Sequence, residues 1–132
     1  MSPDKAILLV DDEAIILLAM RRELRSELGP SFRYEIATSA EEGLAVIDEL
    51  ATDGVRVVLV ISDWLMPGMK GDEFVVRVRG IHPDVRTVMV SGQIDEDQLD
   101  KLKASGALDS FFLKPWDPVR LVSECRRLLA EA

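Results

Sequence analysis

The chain has a single cysteine and a single histidine among 132 residues. One thiol excludes an intramolecular disulfide, and the poverty of cysteine favours a reducing, cytoplasmic setting. Cys125 falls on the apolar stripe of a C-terminal helical pattern with Leu121, Val122, Leu128 and Leu129, which reads as a structural thiol rather than a nucleophile. His82 precedes Pro83 in a loop pattern and has no second histidine with which to share a metal. Long apolar runs are also missing. Nothing approaches the ~18 residues that a membrane span needs, and the start Met-Ser-Pro-Asp-Lys lacks the cationic and apolar pattern of an export signal. Positive charge is in deficit, with 16 basic against 24 acidic residues and a net charge of −8. Such a surface repels a phosphate backbone, so direct nucleic-acid binding is not expected. Repeats, low-complexity tracts and linkers are absent. What remains is one soluble, cytoplasmic globular domain over residues 1–132, with 48% hydrophobic residues to build a core.

Short apolar runs alternate with longer amphipathic stretches. Strands are predicted at residues 6–10, 33–37, 57–62, 87–90 and 111–113. The first is apolar throughout, as a strand covered on both faces should be, and the third is the most strongly apolar run and so the expected central strand. Helices are predicted at 13–28, from Ser39 to about Leu50, at about 72–78, at 95–104 and at 117–129. Gly29-Pro30 stops the first helix, and Ser39 with Glu42 three residues on forms a capping-box signature for the second. Asp117 is placed to cap the last. A β-α unit repeated five times predicts an α/β fold, a parallel sheet with helices on both faces. The flavodoxin-like, doubly wound strand order 2-1-3-4-5 fits right-handed crossovers best.

In such a sheet the carboxyl ends of the strands line one crevice. Asp11, Asp12 and Glu13 follow the first strand, and Asp63 follows the third, its neighbour in the proposed order. Clustered carboxylates repel unless a cation neutralises them. Oxygen ligands without histidine or cysteine favour Mg²⁺, with Mn²⁺ as a substitute. Taken alone, Asp11 and Asp12 could simply cap the first helix, where acids suit the dipole. Lys114, before Pro115, follows the fifth strand, and an ammonium there is a compact charge for one phosphoryl oxygen. Ser91 ends the fourth strand, and its hydroxyl can donate to a second, with Gly92 allowing close approach.

These positions, with the stretch Asp63-x-x-Met66-Pro67-x-x-x-Gly71, resemble the receiver domain of two-component response regulators over nearly the whole chain. The resemblance implies that Asp63 is the phosphoacceptor, taking its group from a phosphohistidine on a sensor histidine kinase or phosphotransfer protein. It implies Mg²⁺ held by Asp12, Asp63 and the backbone carbonyl of Leu65, with Asp11 assisting through water. Lys114 is expected to pair with the phosphoryl group or with Asp63. The domain would catalyse only its own phosphorylation and dephosphorylation, and would not otherwise be an enzyme. Ser91 would move toward the phosphoryl group, and Phe111, matching the family's aromatic on the fifth strand, would swing inward. Two positions tune phosphoryl lifetime in the family, here Leu65 and Gln93, and a leucine that cannot position water implies slow self-dephosphorylation.

The face of the fourth helix, fifth strand and fifth helix is the expected output surface, acidic over residues 95–100, with Arg120, Arg126 and Arg127 as basic groups. It is also the expected surface of any homodimer. The rival reading is a receiver-like interaction module that is never phosphorylated. A dehalogenase-type enzyme would need Asp-x-Asp after strand one, and a dinucleotide binder would be repelled by Asp11-Asp12-Glu13. The residues do not decide between a stand-alone receiver and a domain of a longer protein.

Overall fold

The computed structural model describes residues 3–131. The chain runs β1 (Lys5–Val10), α1 (Ala14–Leu28), β2 (Arg33–Ala37), α2 (Ala40–Thr52), β3 (Arg56–Ser62), α3 (Gly71–Ile81), β4 (Arg86–Ser91), α4 (Glu96–Ala104), β5 (Ser110–Leu113) and α5 (Pro118–Glu131). Five parallel strands lie in the order β2-β1-β3-β4-β5. That is the flavodoxin-like arrangement expected from the sequence.

Side chains alternate across the sheet because successive Cβ atoms point to opposite faces. On β1, Ala6, Leu8 and Val10 join the core beneath α2 and α3, while Ile7 and Leu9 join the core beneath α1 and α5. A register shift opposite Ala6 and Ile7 breaks the alternation in β3, so that Val57 and Val60 share one face. Each fully buried leucine or isoleucine contributes roughly 1.5–3 kcal/mol. Within α4 only Leu99 and Leu102 are buried, so that helix is held by about two such contributions.

Local chemistry sets the helix ends. The Ser39 hydroxyl accepts from the Glu42 N–H at 3.1 Å, which is half of the expected capping box, while the Glu42 carboxylate accepts from the Thr38 hydroxyl at 3.1 Å. Asp117 accepts from the Val119 N–H at 2.9 Å at the start of α5, and Asp95 accepts from Gln98 at 3.1 Å at the start of α4. Helix α3 runs past residue 78 to Ile81, because its stop is not the loss of apolar spacing. The His82 N–H still donates to the Val78 carbonyl at 2.7 Å, and Pro83 ends the helix. One predicted surface group is relocated. Arg126 donates to the Glu27 carbonyl of α1 at 2.8 Å, so it faces α1 rather than the α4–β5–α5 side.

Candidate functional site: an acidic crevice at the carboxyl ends of the strands

Register alone brings the acids together. Val10 pairs with Ser62, so the residues that follow them, Asp11 and Asp63, leave adjacent strands at one sheet edge. The Asp11 N–H extends the β1–β2 ladder by donating to the Ala37 carbonyl at 3.2 Å, and the Asp63 N–H does the same to Val10 at 2.8 Å. Each carboxylate spends one oxygen locally. Asp11 Oδ1 accepts from the Glu13 N–H, and Asp63 Oδ1 accepts from the Trp64 N–H, both at 2.8 Å. The remaining oxygens face the crevice. Carboxylate oxygens of Asp11, Asp12 and Asp63 lie within 4.8 Å of one another, with Asp11 and Asp63 buried and Asp12 exposed.

Lys114 closes the cluster from β5. Ser91 pairs with Leu113, and the Lys114 N–H donates to the Ser91 carbonyl at 2.8 Å before a cis Lys114–Pro115 peptide. Its ammonium donates to Asp11 Oδ2 at 2.7 Å and lies 3.3 Å from Asp63 Oδ2. Both acids pair with the ammonium, and Asp11 is the nearer of the two. Burial lifts the Asp63 carboxyl above its ordinary range, and the neighbouring negative charge of Asp11 adds to this, against Lys114 and the Trp64 N–H. Burial works against the charged form of Lys114, yet its bond to Asp11 and the charges of Asp63 and Asp11 together raise its pKa. Three carboxylates against one ammonium form an oxygen donor set of the kind a hard divalent cation takes.

The other predicted residues fall around this centre. Ser91 is 1% exposed at the end of β4, and among the described residues its Oγ accepts only a long 3.4 Å contact from the Gln93 N–H. Leu65 lies exposed on the β3–α3 loop. Phe111 is half-buried on β5, its ring edge-on to Trp64 with centroids 6.2 Å apart. Gly71 closes the Asp63-x-x-Met66-Pro67-x-x-x-Gly71 stretch, and the reason for a glycine there is steric. A Cβ there would come 2.0 Å from the Asp63 carbonyl oxygen, while the Gly71 N–H donates to the Trp64 carbonyl at 2.8 Å. Trp64, buried directly after Asp63, and Trp116, bonded to Glu23, carried no sequence signal for their contacts. A groove of about 620 Å³ at the opposite, amino end of β3 and β4, lined by Arg56, His82, Asp84, Arg86 and Glu131 among others, includes none of the crevice residues.

The hydrogenase transcriptional regulatory protein HoxA of Cupriavidus necator is 33% identical over 121 residues, 92% of this chain and 23% of that protein. The sensor kinase CckA of Brucella abortus is 30% identical over 129 residues, 98% of this chain and 13% of that protein. The chain therefore spans less than a quarter of the length of either relative. A receiver domain protein from Methanospirillum hungatei JF-1 superimposes with a TM-score of 0.82 at 28% identity, covering 96% of this chain and 94% of that one. The sequence profile of the response regulator receiver domain matches residues 7–126, the span that carries all five strands but the first two residues of β1, and the chain belongs to that family.

Proposed function

We propose that this receiver domain is the phosphoacceptor element of a histidine-to-aspartate phosphorelay, with Asp63 the residue that is phosphorylated. The observation that supports it most is the Lys114 ammonium set between the free oxygens of Asp11 and Asp63, beside exposed Asp12. Asp63 Oδ2 attacks the phosphorus of a phosphohistidine, the N–P bond breaks, and the imidazole leaves as an acyl phosphate forms. Phosphoryl transfer asks mainly for alignment and charge neutralisation. Receiver domains bind Mg²⁺ at such an acidic pocket, and here Asp11, Asp12, Asp63 and the Leu65 carbonyl would hold it, supplying charge neutralisation at the phosphoryl oxygens. Lys114 takes a phosphoryl oxygen once the group arrives, and the Ser91 hydroxyl donates to another.

Receiver domains are signalling modules rather than enzymes acting on separate substrates, and the only chemistry proposed here is on Asp63 itself. A phosphoryl group adds a charge of about −1.5 to −2. Drawing Ser91 toward it frees space behind β4 into which Phe111 turns, changing the α4–β5–α5 face. Moving the population from 1:99 to 99:1 requires roughly 5.5 kcal/mol of preference for the active state. The partners are a cytoplasmic sensor histidine kinase or phosphotransfer protein on the input side, and a protein or second copy on the output face.

Incubation with Mg²⁺ and acetyl phosphate, followed by intact mass, tests the proposal. One added phosphoryl mass in the parent and none in Asp63→Asn is the expected result. No addition, with Mg²⁺ binding retained by Trp64 fluorescence and with a phosphohistidine donor also failing, would favour a phosphorylation-independent interaction module.

A further inference from the structure

The turn that carries Lys114 is thinly held. β5 is a four-residue strand at the sheet edge, so the backbone beyond Leu113 has a neighbour on one side only. The Lys114 N–H to Ser91 anchors the front of the turn, and Asp117, which caps α5, anchors the back. Between them, among the described residues, one hydrogen bond fastens the chain. The indole Nε1–H of Trp116 donates to Glu23 Oε2 on α1 at 2.9 Å, and its ring packs on the core beneath α1 and α5. Glu23 lies on the helix that leaves directly from Asp11, Asp12 and Glu13. The bond therefore ties the lysine-bearing turn to the same structural unit that carries the lysine's nearest acid, from a point outside the crevice.

We propose that Trp116 and Glu23 form a positioning pair that holds the Lys114 ammonium against Asp11 and Asp63. Neither residue touches the reacting atoms. Their consequence for phosphoryl transfer rests on the phosphoacceptor reading above, whereas their effect on Lys114 does not. A displacement of ~1 Å at a reacting centre can cost up to ~100-fold in rate. Loss of one of three anchors should loosen the turn by less, so about tenfold is expected.

Initial rates of phosphorylation with Mg²⁺ and acetyl phosphate are read by intact mass in the parent and its variants. Trp116→Phe keeps an aromatic ring, though a smaller one, and loses the N–H; Glu23→Ala loses the acceptor; both should slow about tenfold. Glu23→Gln keeps an acceptor oxygen and should stay within about twofold, since the same bond persists. In a Lys114→Ala background, Trp116→Phe should have no further effect, because the pair acts through the lysine.

A second readout needs neither metal nor donor. The fall in urea midpoint caused by Trp116→Phe in the metal-free parent should shrink by about half or more in Lys114→Ala, since coupled residues are non-additive. Glu23→Ala, on a half-exposed site, gives the same cycle should Trp116→Phe fold poorly. Additive midpoints, or an equal slowing with and without Lys114, overturn the pair even if the parent is phosphorylated. Coupled midpoints in a parent that accepts no phosphoryl group would uphold the pair and overturn the phosphoacceptor reading.

Discussion

Lys114 Nζ lies 2.7 Å from Asp11 Oδ2 but 3.3 Å from Asp63 Oδ2, so the ammonium leans on the acid of the β1 turn. Asp11 is 3% exposed, and the lysine is the cation that makes its burial tolerable. Lys114→Ala should therefore destabilise the metal-free protein by about 3 kcal/mol, as breaking one side of a buried pair does. The same substitution removes a positive charge beside the carboxylate triad. At an effective dielectric near 20, a charge 4 Å away is worth ~4 kcal/mol before screening and relaxation. Mg²⁺ affinity is expected to rise on the order of tenfold, a fraction of that energy. Urea unfolding without metal and a Trp64 fluorescence titration with Mg²⁺ check the two halves separately.

Gly71 closes the β3–α3 loop against the backbone of Asp63. A methyl group at this position would stand 2.0 Å from the Asp63 carbonyl oxygen, and backbone cannot swing aside as a side-chain tip can. Gly71→Ala should cost about 3 kcal/mol, the upper end of overpacking. It should also weaken Mg²⁺ binding, because the shifted atom belongs to Asp63. Gly80→Ala, within α3 where a Cβ meets nothing within 4 Å, is the control and should leave Mg²⁺ binding near the parent and raise stability by up to ~1 kcal/mol.

Arg79 and Asp109 tie α3 to the loop before β5. Asp109 Oδ2 accepts from Arg79 at 2.7 Å and from the Thr87 N–H at 2.8 Å, and Arg79 also donates to the Gly106 carbonyl. Asp109→Ala strands the Thr87 N–H and removes the carboxylate that neutralises Arg79, whose bonds to Gly106 and Thr87 remain, so a loss of about 3 kcal/mol is expected. Asp109→Asn keeps an acceptor oxygen and should lose about half as much. Because this clamp pins the C-terminal end of weakly held α4, hydrogen exchange of α4 amides should rise in Asp109→Ala beyond the global change.

Cys125 is buried, and burial, with the charge of Glu124 second, pushes its thiol up to about 12. An unfolded thiol ionises near ~8.5. Between these values the unfolded state has released a proton that the folded state retains, so stability falls as pH rises. The slope is about 1.4 kcal/mol per pH unit. Below pH ~8 this contribution is flat. The difference in unfolding free energy between the parent and Cys125→Ala, followed from pH 7 to 11, isolates it. The native thiol should also resist alkylation at pH 8 and react once urea unfolds the chain.

Leu65, exposed beside Asp63, offers no group with which to orient a water. Leu65→Asn introduces one, and the acyl phosphate proposed on Asp63 should be lost at least several-fold faster. Loss of phosphoryl mass with time after donor removal gives the rate. An unchanged rate would place the control of lifetime elsewhere.

Much of this was legible along the chain. Apolar runs that alternate with helical spacing are local signals, and Ser39 with Glu42 is a cap that spans three residues. The end of α3 was less legible, because Arg79 and Gly80 interrupt the apolar spacing while the backbone continues to Pro83. The role of Gly71 was hidden for another reason: the crowding partner is a backbone oxygen eight positions away in the chain.

The sequence by itself determined the order of elements and which acids, hydroxyl and lysine follow which strands, because periodicity and turn chemistry act over a few residues. Which oxygen the lysine takes was decided only by the fold. Lys114 and Asp11 are 103 positions apart, and Trp116 and Glu23 are 93 apart. Their meeting depends on strand order, on the register that sets Val10 beside Ser62 and Ser91 beside Leu113, and on how α1 and α5 pack beneath the sheet. Such contacts are sums of many distant choices, and only the packed chain adds them.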